Sequence, residues 1–545
     1  MSKNGSNTLE NIFLKGYRPF LWLIIICLLF YLRTVFFKFT DFDEVPLITN
    51  SFQFNKDLRN LPKAFTTDVF RNPNGEIVYY RPMLTVSLML DAQIGGVNPR
   101  IYHLTNLILH ILSVLLIFIF LQKLKIARTV AMILSMVFAI HPILSQAVAW
   151  VPGRNDSLLA LFCIAGFIFF IDYINTRKIR YLFIHFIFFF LALLTKETGL
   201  IMPVLLISYL WVARQKIFSK ANLTVHLAWV MLLLAWFLLR SNALNSATML
   251  PSWTISFDNI YDVLISTMIY FGKILLPINL TVVPMVKDTQ LWPGIVSLAL
   301  LVLLLGFSFI TCNRMTLFGI GFFLLFLMPT LLRPIKEEVL YIYEHRAYLP
   351  FVGVLILFSQ ANLGKIKKVS WFFKPLLMFI FLFFAIKNLS HTSVFRNKNT
   401  FWISAVNNSP HNSLAYIGLG ANYAEEGDVD KAFYLYNKAI ELNPHAAVAL
   451  GNIGYIYMMK GNYLAAEKSL LKGLAESPKE VLNYQNIGEL YYRWGKYDKV
   501  ESYMVQALKI NPNLNQTRRF LYGFYQETNQ LEKAKKLMED EVQLK

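Results

Sequence analysis

The sequence predicts an all-α protein in which a multispanning membrane domain is followed by a C-terminal α-solenoid. Two observations support this fold class. Of the 545 residues, 56% are hydrophobic and only 16% are charged, which is typical of multispanning membrane proteins. After about residue 400 the long apolar runs stop and a 34-residue period begins, which is typical of stacked helical hairpins.

The basic residues are distributed as in a membrane protein. The formal net charge is +19, but residues 413–545 carry 16 Lys and Arg against 16 Asp and Glu, so the whole excess lies in residues 1–412. There the cations stand mostly in short runs between apolar segments, where membrane topology places them. Nucleic acid is therefore not an expected partner. The three cysteines, Cys27, Cys163 and Cys312, have unrelated spacings that fit neither a disulfide framework nor a metal site.

Apolar runs predict about eleven membrane spans in residues 1–395. They lie near 19–38, 101–122, 128–146, 157–175, 180–196, 199–214, 222–241, 293–311, 315–333, 347–363 and 371–389. The first run is longer than a signal-peptide core and no small-residue cleavage pattern follows it, so we expect it to be an uncleaved span.

The basic loops predict the orientation of these spans. Cations cluster at 123–128, 177–180 and 214–220, and if these loops are cytoplasmic the N-terminus is inside. The 62-residue loop 39–100 and the C-terminal region are then outside. Residues 259–280 are expected to lie in the interface or to re-enter, because counting them as a span would place the basic cluster Lys365, Lys367 and Lys368 outside.

Within the first loop, residues 52–71 mix apolar and polar positions and predict short amphipathic helices along the membrane.

The C-terminal region contains three full repeats and part of a fourth, after a predicted linker at 396–412. Glycine, tyrosine, proline and alanine each keep the 34-residue period, at Gly420, Gly454 and Gly488, Tyr423, Tyr457 and Tyr491, Pro444, Pro478 and Pro512, and Ala432 and Ala466. This is the tetratricopeptide pattern, with repeats at 413–446, 447–480, 481–514 and a partial repeat at 515–545. Such repeats usually bind peptides or partner proteins; a helical spacer is the alternative.

The membrane domain is organised around the acidic stretch Thr40–Glu44, which directly follows the first span. It contains Asp41, Asp43 and Glu44, and it either marks the water boundary or supplies a catalytic base. Further charged residues collect at the external ends of other spans. These are Arg81, His141, Arg154, Asp156, Lys196, Glu197, Glu344 and Arg346. Charges at the edge of a bilayer are costly, so each is a functional candidate.

Carboxylates and cations on one face suit transfer from a lipid-linked phosphate donor. A carboxylate can take the proton from an acceptor hydroxyl, and cations stabilise the charge that develops on the leaving phosphate. An ion pathway is an alternative, although it does not explain the long first loop. Individual residues also have simpler explanations. Arg154 and Asp156 could pair with each other, Lys196 could extend to the headgroups, His141 could be a helix-end residue, and Glu344 and Arg346 could hold the tenth helix.

A series of short motifs runs through the membrane domain in a fixed order. The motifs are Asp43-Glu44, Leu61–Asp68, Tyr80-Arg81-Pro82, His103–Asn106, His141-Pro142, Ala149–Val151 with Arg154 and Asp156, Thr195-Lys196-Glu197 and Glu344–Pro350. This series resembles the membrane proteins with tetratricopeptide repeats that act as O-mannosyltransferases, and the resemblance covers nearly the whole chain. It implies the class C glycosyltransferase (GT-C) fold, a polyprenyl-phosphate sugar donor, an essential acid in the first external loop and inversion at the anomeric centre. Members of the family often carry more repeats than this chain.

The resemblance also implies roles for the candidate residues. Asp43 is the expected general base, with Glu44 and Asp41 as the next candidates, because family members often show two adjacent acids here. Arg346 and Arg154 are expected to bind the donor phosphate, followed by Lys196, His141 and Arg81. Asp156, Glu197 and Glu344 are expected to support them. The three acids of the first loop offer oxygen ligands for a hard cation, but the resemblance implies no metal, so we expect no metal and no cofactor other than the lipid-linked sugar, which is a substrate.

The predicted function is therefore transfer of mannose or another hexose from a polyprenyl phosphate to a protein hydroxyl on the extracytoplasmic side. Expected partners are membrane lipid, the polyprenyl-phosphate sugar and a protein or peptide bound by the repeats. A lipid or polysaccharide acceptor and a non-catalytic, membrane-anchored repeat scaffold are the alternatives. Compared with the family that the chain resembles, the modest length and few repeats favour a bacterial inner membrane with periplasmic repeats and an undecaprenyl carrier. The alternative is the endoplasmic reticulum with lumenal repeats and a dolichyl carrier.

Overall fold

The computed structural model describes residues 13–71, 79–244, 257–331, 341–362, 370–511 and 514–544. The regular elements in these ranges are all helices, which confirms the all-α prediction. The basic cluster Lys365, Lys367 and Lys368 and the repeat residue Pro512 lie outside these residues. The chain divides after Ser409 into two compact units.

The first unit contains sixteen α-helices in its described parts. They are α1 (Arg18–Tyr31), α2 (Phe52–Asn55), α3 (Pro82–Gly95), α4 (Pro99–Lys123), α5 (Arg128–Ile140), α6 (Ser145–Ala149), α7 (Arg154–Thr176), α8 (Ile179–Leu193), α9 (Met202–Val212), α10 (Lys220–Leu244), α11 (Phe257–Leu275), α12 (Trp292–Gly306), α13 (Arg314–Leu331), α14 (Pro350–Phe358), α15 (Ser370–Ser393) and α16 (Lys398–Asn408).

A helix lies at each of the eleven predicted spans, but fewer helices are long enough to cross a bilayer. In the described parts of the chain, six helical segments are both long and apolar enough, or seven if the bent pair α5 and α6 counts as one span. Helices α8 and α12 are apolar but only 15 residues long, and such helices fall short of the roughly 20 residues that a perpendicular crossing needs. Multiple membrane spans are thus supported, while the number eleven stays a prediction.

Proline and asparagine residues set several helix ends near the candidate site. Pro82 and Pro99 begin α3 and α4, where the missing N–H of proline costs no hydrogen bond. Asn98 caps α4 by accepting a hydrogen bond from the Arg100 N–H. Pro142 follows the last residues of α5, and the chain bends there by 51° before it continues through α6.

The segment Val151–Thr176 lies in the core of the first unit. Of its most apolar 18-residue stretch, 83% is buried. Close helix crossings are made at glycine. A Cβ on Gly319 of α13 would lie 2.8 Å from the Gly353 carbonyl oxygen of α14, and one on Gly294 of α12 would lie 2.6 Å from the Met268 carbonyl oxygen of α11. The helix backbones can therefore come this close only where the residue has no side chain. Small residues allow the same close packing in other pairs of membrane helices.

Helix α16 occupies most of the segment 396–412 for which the sequence predicts a linker. Asn397 caps it in a capping box with Thr400, and the side chains of Phe401 and Trp402 are buried. The segment is thus a packed part of the first unit. Two adjacent aromatic residues in a short polar region are a weak signal, because only their packing partners reveal that they are buried.

The described residues of the second unit form four helical hairpins. The helices are α17 (Ser413–Glu425), α18 (Val429–Leu442), α19 (Ala447–Met459), α20 (Tyr463–Glu476), α21 (Val481–Arg493), α22 (Tyr497–Ile510), α23 (Asn515–Glu527) and α24 (Leu531–Leu544). A Cβ on Gly420 would lie 2.7 Å from the Tyr436 ring, so glycine permits the close approach within a hairpin. The hairpin turns add a further period, since Gly427, Gly461 and Gly495 have φ of 84°, 77° and 76° and Asn529 takes the same place with 58°.

Candidate functional site

The three acids of the first loop have three different environments. Asp41 is exposed, and its carboxylate lies 3.7 Å from the Lys398 ammonium. Glu44 is buried, and its carboxylate accepts hydrogen bonds from the Thr40 hydroxyl at 2.9 Å and from the Phe42 N–H at 3.3 Å. Asp43 lies between them, half-buried. No hydrogen bond or ion pair in the described residues occupies the Asp43 carboxylate.

Aromatic packing holds this acidic turn. The Phe42 ring stacks on Trp150 with ring centroids 6.0 Å apart and meets the Trp402 ring edge-on at 5.3 Å. The turn is thereby fixed between the end of α6 and helix α16. With the Phe42 ring held in this way, the neighbouring acids face different surroundings. The Asp41 side chain lies towards Lys398, and the Glu44 side chain points into the protein.

Burial shifts the pKa values of both inner acids upward. Burial raises the pKa of Asp43 to about 6, and the nearby Arg81 guanidinium opposes the shift. Burial also raises the pKa of Glu44 to about 7, against the hydrogen bonds that its carboxylate accepts. A carboxylate with a pKa near the working pH and no competing hydrogen bond has the properties of a general base.

Arg81 lies close enough to this turn for its charge to act on the Asp43 carboxylate. Arg81 directly precedes α3, which is tied to the end of α8 by a hydrogen bond of 3.1 Å from the Met83 N–H to the Leu194 carbonyl oxygen. The Arg81 guanidinium lies 4.2 Å from the centre of the Tyr79 ring and 3.8 Å from the Glu197 carboxylate. Its Nε is buried and has no hydrogen-bond partner among the described residues. Arg81 therefore keeps donor capacity that an anion could use.

Lys196 is held by Asp156. Its ammonium contacts both carboxylate oxygens, at 2.7 and 2.9 Å, and both side chains are buried. Arg81 and Arg346 both lie close enough to Lys196 to interact with its charge. Asp156 thus offsets the positive charge of Lys196, and Lys196 retains one of its three N–H donors.

Arg346 and His345 belong to a short helical turn, Glu344–Ala347, before α14. The Arg346 guanidinium donates to the Tyr341 carbonyl oxygen at 3.0 Å and lies 4.9 Å from the centre of the Tyr343 ring. The His345 Nε2 lies 3.8 Å from the Asp156 carboxylate. Together with the pairs described above, these contacts and the interactions between their charges link Asp43, Arg81, Lys196, Asp156 and Arg346 into one group.

Arg154, in contrast, is not available to a donor phosphate. It is fully buried, its guanidinium is 2.6 Å from the Asp91 carboxylate, and it donates to Asn106 Oδ1 and to the Tyr102 carbonyl oxygen, both at 2.7 Å. The expected phosphate-binding role of Arg154 is therefore corrected to a structural one. The alternative pairing with Asp156 is also absent, because Asp156 binds Lys196 instead.

His141 and Glu344 are structural as well. His141 is buried, its Nε2 lies 2.8 Å from the Ile274 carbonyl oxygen and its Nδ1 accepts from the Ile143 N–H at 3.3 Å, so it is the helix-end residue of the alternative explanation. The Glu344 carboxylate binds Lys273 at 2.8 Å and His391 at 2.9 Å. Burial raises the pKa of Glu344, but the charges of these two partners outweigh it and hold the pKa below its usual range.

The three acids of the first loop lie beside different partners. Among the described residues, no three His, Cys, Asp or Glu side chains form a group that could hold one. The Asp41 carboxylate lies by Lys398, and the Glu44 carboxylate accepts a hydrogen bond from Thr40.

Sequence reasoning missed several residues that organise this site. Asp91, Lys273 and His391 are the buried partners of Arg154 and Glu344, and Gln146 accepts hydrogen bonds from His345. The sequence does mark Asp91, Lys273 and His391 as unusual, because each is a charged or titratable residue inside an apolar helix. Their partners could not be read from the sequence, because they come from distant segments.

The repeat region matches two family models. Residues 423–487 and residues 483–514 each match a model described as tetratricopeptide repeat. These matches confirm the repeats that the 34-residue period predicts.

The chain is similar to curated proteins of the family that its sequence motifs resemble. The chain is 34% identical over 131 residues to protein O-mannosyl-transferase TMTC2 of Mus musculus, covering 23% of this chain and 15% of that protein. It is 32% identical over 166 residues to TMTC3 of Homo sapiens (29% and 17%) and 22% identical over 425 residues to TMTC4 of Mus musculus (66% and 57%). The chain therefore resembles proteins named O-mannosyl-transferases, while the first two matches span less than a fifth of those relatives.

Proposed function

We propose that this chain is a membrane glycosyltransferase that moves mannose, or another hexose, from a polyprenyl phosphate to a hydroxyl group of a protein. Three findings support the proposal: the names of the relatives, the apolar helices, and a group of acids and cations in the first unit. The GT-C type and the polyprenyl-phosphate donor are taken from the family resemblance.

In the proposed reaction, Asp43 is the general base. Its carboxylate takes the proton of the acceptor hydroxyl as the hydroxyl oxygen attacks the anomeric carbon, and a single displacement inverts that centre. The observation that carries this assignment is that Asp43, alone among the three acids, has no hydrogen bond or ion pair on its carboxylate within the described residues. A pKa of about 6 keeps this carboxylate ionised at neutral pH while it remains basic.

The donor phosphate is assigned to Arg81 and Arg346, with the remaining donor of Lys196. Guanidinium groups bind phosphate oxygens through paired N–H contacts, and both arginines lie close to tyrosine rings. Asp156 and Glu197 keep the local charge balanced before the donor arrives. Polar groups held in place in this way need no reorganisation when charge develops on the leaving phosphate.

The repeats are proposed to bind the protein acceptor or a partner protein. A lipid or polysaccharide acceptor remains the second candidate, with the repeats then binding a partner in assembly. The relatives are animal proteins, so they do not support a bacterial inner membrane and are consistent with the alternative, the endoplasmic reticulum with lumenal repeats.

The test is a transfer assay in membranes that contain the full chain and radiolabelled polyprenyl-phosphate mannose. Wild type is compared with Asp43→Asn and with the matched control Asp41→Asn, which changes an exposed acid two residues away. We expect Asp43→Asn to lower the transfer rate by at least about 100-fold, and Asp41→Asn to transfer at the wild-type rate. Equal, measurable rates in wild type and Asp43→Asn would reject Asp43 as the base, whereas no transfer above background by wild type would support a non-catalytic scaffold.

A further inference from the structure

His345 lies among the phosphate-binding candidates but has no role in the function proposed above. Its backbone N–H donates to Gln146 Oε1 at 3.0 Å, and its Nδ1 lies 3.1 Å from the same oxygen. The orientation of the Gln146 amide is fixed independently, because its Nε2 donates to the Val282 carbonyl oxygen at 2.9 Å. An amide oxygen only accepts hydrogen bonds, so Nδ1 of His345 carries a hydrogen.

This tautomer makes Nε2 the atom that gains and loses a proton. Nε2 lies 3.8 Å from the Asp156 carboxylate, which favours the protonated imidazolium. Positive charge from Lys196 and Arg346 opposes it, but Lys196 is itself paired with Asp156 through both oxygens. Glu344, the neighbour in the chain, is directed to Lys273 and His391. The rings of Trp150 and Tyr343 also lie beside the imidazole, with centroids at 5.5 and 5.4 Å.

We infer that His345 is a catalytic residue, the general acid that protonates the leaving phosphate. The inference rests on the proposed function. As the acceptor oxygen bonds to the anomeric carbon, the bond from that carbon to the phosphate oxygen breaks and its electron pair stays with the phosphate. The acceptor proton goes to Asp43, and the Nε2 proton goes to the phosphate. The products are the glycoside and a polyprenyl hydrogen phosphate, so charge and protons balance.

The proton affinities of the two groups suit this transfer. A phosphate monoester takes up its second proton near pH 6, and an imidazolium ordinarily releases its proton near pH 6.5. Asp156 would then hold the imidazolium in the resting site and Arg346, the next residue, would hold the phosphate beside it. Well-placed general acids typically contribute 10²–10⁴-fold to a rate.

A purely structural role for the imidazole is separable from this one. The turn Glu344–Ala347 is held by the bonds of Glu344 and by the His345 backbone N–H on Gln146, and all of these persist when only the imidazole is replaced. The variant His345→Gln therefore removes the titratable group and leaves the turn attached. Arg346→Lys is the comparison variant, because it perturbs the phosphate contact instead of the acid.

The experiment measures transfer from polyprenyl-phosphate mannose against pH, and binding of a non-reactive phosphonate analogue of the same donor, for the full chain in membranes. We expect the wild-type rate to fall at alkaline pH as the imidazolium loses its proton. We expect His345→Gln to lower kcat by about 100-fold or more, to bind the analogue within about threefold of wild type, and to lack this alkaline fall. Arg346→Lys should instead weaken binding of the analogue.

Three results would overturn the inference. In the first, His345→Gln transfers sugar at a rate within threefold of wild type. In the second, this variant shows the same fall in rate at alkaline pH as wild type. In the third, the variant loses as much binding of the analogue as it loses rate. If wild type transfers and Asp43→Asn does not, these results reject His345 alone. If wild type transfers no sugar from any polyprenyl phosphate, the proposed function and the inference are rejected together.

Discussion

At the residue scale, adjacent acids in one turn have different chemistry because their neighbours differ. Asp41 meets an ammonium, Glu44 meets a hydroxyl and a backbone N–H, and Asp43 meets only the more distant charge of Arg81. A carboxylate that is already hydrogen-bonded has its lone pairs occupied and accepts a substrate proton less readily. The choice of Asp43 as base therefore follows from packing around Phe42 more than from the acidic motif itself.

The first prediction concerns the pH dependence of transfer. The base must be ionised, and burial raises the pKa of Asp43 to about 6, so kcat/KM should rise as the pH increases through 6 and fall as the pH drops below it. The measurement is kcat/KM for transfer between pH 4.5 and 9. Asp41→Asn should show the same acid limb as wild type, and a wild-type midpoint near pH 4 would contradict the assignment.

The second prediction concerns the buried pair Asp91 and Arg154. Arg154→Met leaves the Asp91 carboxylate buried without its counter-charge, which typically costs about 3–5 kcal/mol. We expect a clearly lower thermal midpoint in detergent, followed by tryptophan fluorescence. The double variant Asp91→Leu with Arg154→Met removes both charges and should recover part of the loss. If Arg154→Met unfolds like wild type and loses only donor binding, the structural role of Arg154 is wrong.

At the element scale, the first unit depends on helix crossings that admit no side chain. Gly319 and Gly353 bring α13 and α14 together at backbone distance, and Gly272 and Gly294 do the same for α11 and α12. In a membrane, where lipid tails are as apolar as the helix surfaces, close packing of this kind supplies much of the association energy.

The third prediction uses two glycines of the same helix pair. A Cβ on Gly353 would lie 2.5 Å from the Gly319 carbonyl oxygen, whereas a Cβ on Gly321 would meet nothing within 4 Å. Gly353→Ala should therefore destabilise the protein by about 1–3 kcal/mol. Gly321→Ala should be neutral or stabilise it by up to about 1 kcal/mol, because alanine is the better helix former. Thermal unfolding in detergent compares them, and shifts of the same sign and size would contradict this crossing.

At the scale of the whole molecule, the sidedness of the loops decides whether the proposed site faces outside. Helix α4 has 25 residues and a length of about 37 Å, enough to cross the roughly 30 Å hydrocarbon core. Its first residues follow the long first loop, and its last residues lead into the basic loop at 123–128. Asp43 and the cations around it are consequently expected on the side opposite to that basic loop.

The fourth prediction tests this topology by cysteine labelling. Cys27 and Cys163 are buried and Cys312 is exposed, so Cys312→Ser gives an unreactive background. In that background, an impermeant maleimide added to the extracytoplasmic face should label Lys56→Cys, and it should label Lys125→Cys only after permeabilisation. Wild-type Cys312 should behave like Lys125→Cys. Labelling of both introduced cysteines from one face would reject the predicted orientation.

The sequence by itself determined the helical class, the apolar segments, the repeats and the set of charged residues from which the site is built. These follow from local composition and from periods that a single segment displays, as Gly420, Gly454 and Gly488 show. Only the tertiary structure decided which charges are paired internally. It assigned Arg154 to Asp91 and Glu344 to Lys273 and His391, and it left the Asp43 carboxylate unoccupied within the described residues. The physical reason is that a charge is neutralised by whatever side chain lies within a few ångströms, and those partners come from segments far apart in the chain.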